Sequence, residues 1–165
     1  MKKVSSSSVK SATPPTAKLL SLDIQYGSKA LEERWSPLLT RAKIRKWMLA
    51  GLQEPASITL RLVGTAEGRK LNREFREKDY ATNILTFAYP TPDATLEADL
   101  VICMPVVLRE AREQKKTFDH HFIHLLIHGL LHAQGFDHED DIEAQAMESL
   151  EIAMLSQLKI QNPYD

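Results

Sequence analysis

The sequence has one cysteine, Cys103, in 165 residues. A lone thiol closes no intrachain disulfide and cannot build a cysteine zinc cage, which suits a reducing compartment. No apolar run approaches the roughly 18 residues that a membrane span needs, so no membrane association is expected. The first residues lack the apolar core of a secretory signal, and together these absences predict a cytoplasmic protein. Net charge is also nearly absent, since 21 Lys+Arg stand against 22 Asp+Glu. With 43% hydrophobic and 26% charged residues, whole-chain disorder, collagen and coiled coil are excluded. The length matches about one domain and is enough to bury a core without disulfides.

The near-zero charge conceals a polarity. Residues 1–80 hold 16 Lys+Arg against 8 Asp+Glu, and residues 81–165 hold 5 against 14, a balance of +8 against −9. Such a distribution can steer a polyanion toward one face of a neutral molecule. Residues 1–17 (MKKVSSSSVKSATPPTA) form a Ser/Lys/Pro/Thr tail with too few apolar groups to pack, and a disordered extension is expected there. Residues 18–165 form the expected domain.

Within it, Lys18–Tyr26 reads as a strand, and Ser36-Pro37 as the start of a helix through about Leu52. Ser57–Val63 alternates as a second strand, and Thr65 caps a helix to about Arg76. Ile84–Tyr89 and Asp99–Met104 are strands flanking a loop at Pro90–Glu97. Pro105 opens a helix to about Lys116, Phe118–Gln134 is the longest apolar helix, and Asp140–Gln161 is a terminal amphipathic helix. The order predicts an α/β single domain, with a sheet of about four strands covered by about five helices.

The histidines carry the chemistry. All six, His120, His121, His124, His128, His132 and His138, fall in one stretch. His128 and His132 are four residues apart, which places two imidazoles one turn apart on one helix face. Gly135 permits the left-handed residue that ends a helix, and the turn brings His138 back toward the pair. Three imidazoles and an open fourth position describe a catalytic zinc site, set on the long helix and the turn after it. Chance alone would produce these offsets in roughly one such chain in a hundred. The same spacing occurs in metzincin proteases, where a glutamate after the first histidine activates water. Here that residue is Gly129, which has no proton acceptor, so a metzincin-like metalloprotease is the weaker reading.

His128–His138 (HGLLHAQGFDH) resembles the H-G-x-L-H-x-x-G-[YF]-D-H signature of the YbeY endoribonucleases. Phe75–Phe87 (FREKDYATNILTF) and Glu97–Cys103 (EADLVIC) resemble that family's two upstream blocks, in the same order. Departures are Ala98 for glycine, Ala81 for proline and Thr86 for serine. None falls on a proposed ligand, and the tail lies outside the similarity, which runs from about residue 20 to 160. The resemblance implies a metal-dependent, single-strand-specific endoribonuclease acting in maturation of the 16S rRNA 3′ end and in ribosome quality control. Its partners would be single-stranded RNA, the small-subunit rRNA and ribosome-associated proteins. It maps one Zn2+ onto His128, His132 and His138, and a functionally important arginine onto Arg76.

Arg76 suits that role chemically, because a guanidinium offers planar, permanently charged donors to a phosphodiester gathering negative charge. Its neighbours Arg69, Lys70, Arg73 and Lys78 suggest a groove that tracks an RNA backbone. His124, one turn before His128, is placed to support a ligand or contact substrate. Asp137 is placed to orient a ligand imidazole or cap the turn. Met147, Met154 and Cys103 read as core. A non-catalytic ribosome-assembly factor with a structural metal is a second rival reading.

Overall fold

The computed structural model describes residues 19–165, so the expectation for the tail at residues 1–17 lies outside the described residues. Strand β1, Leu20–Tyr26, turns Leu20 and Leu22 inward and Ser21 and Asp23 outward, the period-2 pattern of a half-buried strand. Helix α1, Lys29–Trp35, follows and was not anticipated. Its sequence KALEERW is charged, but Ser28 caps it by accepting the Leu31 N–H, and Trp35 is buried and stacks on Phe118 at 4.6 Å. That short helix displaces the expected start at Ser36-Pro37. Ser36 closes α1, and the next helix, α2 (Arg41–Gly51), begins after the N-cap Thr40.

Strand β2 is Ala56–Val63, with Ile58, Leu60 and Leu62 fully inward. Helix α3, Thr65–Arg76, has Gly64 rather than Thr65 as its N-cap and ends in a left-handed Glu77. Strands β3 (Ile84–Tyr89) and β4 (Leu96–Cys103) form an antiparallel hairpin. β4 starts earlier than the expected Asp99 because Leu96 already pairs with β2, and Glu97 with both β2 and β3. Helices α4 (Met104–Glu113), α5 (Phe118–Ala133) and α6 (Asp141–Gln157) complete the described chain. Left-handed residues at Lys115 and Lys159 end α4 and α6 sooner than the sequence pattern suggested.

The sheet has four strands in the order β1-β2-β4-β3. β1, β2 and β4 run parallel, and β3 is the antiparallel edge. One face carries the main core and packs under α2 and α5, and α6 packs on those two helices. The other carries a smaller cluster of Val63, Leu85, Val101, Cys103 and Val106, joined by Leu71 of α3. Met147, Met154 and Cys103 are buried as expected. α5 is central and is buried almost all round, which explains a helix apolar enough to lack a clear polar face. Phe122 and Leu126 are fully enclosed on it, and truncating either to Ala costs about 3–5 or 2–5 kcal/mol. The side of α5 that escapes burial is a stripe of His120, His124, His128 and His132, spaced at four residues.

Candidate metal centre and its cavity

The stripe opens into a cavity of about 560 Å³ whose walls include Arg76, Thr86, His124, His128, His132, His138 and Tyr164. His128 Nε2 and His132 Nε2 stand 3.1 Å apart, and their rings are 4.6 Å apart. After α5 the chain reverses at Gly135, whose φ is 100°, with its N–H donating to the His132 carbonyl and the Phe136 N–H to the Leu131 carbonyl. Asp137 Oδ1 then accepts the His138 N–H at 2.7 Å, which holds the turn. The reversal leaves the His138 ring 5.0 Å from His132 and 5.9 Å from His128. Each of the three residues offers a ring nitrogen within 4.8 Å of the others.

This donor set fits a small divalent metal. Bonds of about 2.1 Å to a tetrahedral zinc put ligand nitrogens about 3.4 Å apart, close to the separation of the first pair. Burial, and repulsion from His128 and His138, push the His132 imidazole below its usual pKa. The ring is thus favoured in the neutral form that a metal ligand must have.

The element that sequence reasoning missed is Glu151. It lies on α6, is fully buried, and its Oε2 takes the Nδ1 side of His128 at 2.5 Å. Its Oε1 meets His124 Nε2 at 2.9 Å and accepts the Tyr164 hydroxyl. Burial alone would raise its pKa, but the hydrogen bonds from His124, His128 and Tyr164 outweigh it and bring the carboxyl down to about 2. An ionised Glu151 accepts a hydrogen bond from the His128 Nδ1–H, which leaves the Nε2 lone pair directed at the cavity. A signal for it was present: Glu151 falls one turn after Met147 and next to Met154 and Leu155 on the buried stripe of α6. An acid on a core stripe needs hydrogen-bond partners to stay buried.

His124 is therefore tied to Glu151 while still lining the cavity. His124, His128 and Glu151 form a second set of donor atoms within 4.8 Å of one another, close enough to hold a metal. In this structure those atoms are engaged with each other in hydrogen bonds.

Across the cavity, Arg76 ends α3, where its side chain is exposed and has no ion-pair or hydrogen-bond partner among the described residues. Its neighbours differ. Arg69 and Arg73 both reach Asp79, at 2.8 and 3.6 Å. Part of the expected basic track is thus neutralised internally, and Arg76 is the arginine of that cluster left for a ligand.

Gly129 has a packing reason. A Cβ there would lie 2.5 Å from Ile84 Cδ1, 3.3 Å from Thr86 Oγ1 and 3.4 Å from Leu100 Cδ2. α5 approaches the sheet edge so closely that a glutamate at this position would run into β3 and β4, which removes the metzincin arrangement. Among the described residues, no helix is long and apolar enough to cross a membrane.

An α/β domain that converges histidines from its central helix and the following turn on an open cavity has a histidine-centred site whose donor atoms could hold a metal ion. The family model for "Endoribonuclease YbeY" matches residues 24–159. Relatives of that name from Janthinobacterium sp. (strain Marseille) and Aromatoleum aromaticum are each 51% identical. The matches cover 88% and 92% of this chain and 94% and 97% of the respective relatives. A solution structure of a Thermotoga maritima protein shares the fold, with a TM-score of 0.53 and 24% identity over 87% of this chain and 95% of that one. The chain belongs to the YbeY endoribonuclease family, and as an enzyme of that family it is not the non-catalytic assembly factor considered above.

Proposed function

We propose that this chain is a metal-dependent endoribonuclease that cuts single-stranded RNA, with the 3′ end of the 16S rRNA as its maturation target and ribosome quality control as its setting. His128, His132 and His138 would hold one Zn2+. The observation that carries this reading is the facing of three convergent ring nitrogens by the one uncommitted arginine of α3 across a single cavity. When bound, zinc supplies Lewis-acid polarisation and lowers the pKa of a water toward about 7.

The chain's own residues do the rest. Glu151 holds His128 in the tautomer that exposes Nε2. Arg76 binds the scissile phosphate and stabilises the charge that develops on its non-bridging oxygens through planar, permanently charged donors. An open cavity of about 560 Å³ has room for a nucleotide between the histidines and Arg76. His124 and Asp137 act on the protein side, the first through Glu151 and the second through the turn that presents His138.

The test is metal content by mass spectrometry and single-stranded RNA cleavage on the same purified samples of wild-type and His132→Ala protein. About one zinc per chain, lost together with cleavage in the variant, is the expected result. Zinc bound without cleavage by the wild type would refute the nuclease assignment, and cleavage undiminished after zinc removal would refute the metal's part in it.

A further inference from the structure

The chain does not end where the family match does. After α6 it reverses at Leu158–Ile160, where the Ile160 N–H donates to the Leu155 carbonyl and the Ile160 side chain is buried. Lys116 Nζ then donates to the Pro163 carbonyl at 3.2 Å, and Asn162 Oδ1 accepts the Tyr164 N–H at 2.8 Å. The result returns Tyr164, five residues past the family match at 24–159, to the mouth of the cavity. Its hydroxyl donates to Glu151 and lies 3.3 Å from His124 Nε2. Its ring stands edge-on to the His124 ring at 5.5 Å, and the residue as a whole remains 45% exposed.

That exposure needs a reason. Phe75, Tyr80, Tyr89 and Tyr164 are the exposed aromatics among the described residues, and of these Tyr164 alone lines the cavity. A half-exposed ring whose polar end is anchored below it is a flat apolar surface held in place in advance, with little rotamer freedom left to lose on binding. Arg76 lies on the same cavity wall set and supplies a phosphate donor. A phosphate donor and a fixed aromatic face flanking one cavity are the two elements by which proteins hold unpaired nucleotides, one for the backbone and one for the base.

We propose that Tyr164 is a substrate-binding residue of this site, on whose ring a base of the single-stranded RNA stacks next to the scissile phosphate. The proposal rests on the nuclease reading above. It also accounts for a preference for unpaired RNA, since only a base outside a duplex presents a free face to the ring. The hydroxyl's bonds to Glu151 and His124 set where that face stands.

Tyr164→Phe and Tyr164→Ala separate ring from hydroxyl, because both lose the hydroxyl and only the second loses the ring. Steady-state cleavage of a short single-stranded RNA by the full-length, zinc-loaded protein gives KM and kcat for each. The expected result is a KM about tenfold higher for Tyr164→Ala than for Tyr164→Phe, as for one base stacked on one aromatic ring, with similar kcat for the two. Walking one abasic nucleotide along the RNA should find a position that raises KM for the wild type and for Tyr164→Phe but not for Tyr164→Ala. Equal KM values for the two variants, with the wild type cleaving normally, would overturn the stacking role alone. A wild-type protein that neither binds nor cleaves RNA would overturn the nuclease reading and this proposal with it.

Discussion

Replacing Glu151 by glutamine keeps its shape and removes its charge, and the structure says what that change costs. The carboxyl is fully buried and receives His128, His124 and Tyr164. Its fall from the ordinary 4.5 to about 2 corresponds to about 3 kcal/mol of preference for the charged form within the fold. Glutamine retains one acceptor oxygen, but its NH₂ must face one of the three donors, so a loss of about 2–3 kcal/mol is expected at pH 7. For a chain of this size that lowers Tm by roughly 4–12 °C. The pH dependence has a definite sign. A folded pKa below the unfolded one stabilises fully above about 4.5, and the contribution drains as pH falls toward 2. The deficit of Glu151→Gln relative to wild type should therefore stay constant in urea unfolding of the zinc-free protein from pH 7 to about pH 5, and shrink only as the pH is taken below about 4.5. Zinc affinity, measured by competition with a chromophoric chelator, should fall about 10–100-fold, because the His128 tautomer is no longer held. A glutamine variant with wild-type stability at pH 7 and wild-type zinc affinity would refute the argument that Glu151 orients His128.

Arg76→Glu should leave stability within about 0.5 kcal/mol and zinc content unchanged, since the side chain is exposed and without partners, yet abolish RNA cleavage; retained cleavage would remove Arg76 from the mechanism. At Gly129, alanine gains about 1 kcal/mol of helix propensity against a crowding cost that the flexible end of Ile84 can relieve, so thermal melts should show a change within about 1 kcal/mol. Gly129→Glu should instead lose about 3 kcal/mol or more, with no peptidase activity, because its carboxylate has only β3 and β4 to enter. Burial pushes the Cys103 thiol up, so an aromatic disulfide reagent at pH 8 should label it only in urea, and rapid native labelling would contradict its packing.

The positions of the strands, the long apolar helix and the three metal-type histidines were legible in the sequence because each rests on local rules. Alternation marks strands, proline and glycine mark helix ends, and spacing by four puts imidazoles on one helix face. Ser36-Pro37 misled for the same reason: a good local start signal yielded to Thr40 because Trp35 had a nonlocal partner in Phe118. The strand order β1-β2-β4-β3 was not in the sequence, since pairing is a contact between distant segments. Nor was the sorting of the arginines, where Asp79 claims Arg69 and Arg73 and leaves Arg76. Glu151 and Tyr164 reach the site from 23 residues past His128 and 40 past His124, and only the packing of α6 on α5 and the reversal after Lys159 bring them there. The sequence by itself determined that His128, His132 and His138 could converge, because their spacing follows a helix and the turn after it. The tertiary structure decided which groups the His128 and His124 rings meet and what stands at the mouth of the cavity, because Glu151 and Tyr164 reach them only when the helices pack.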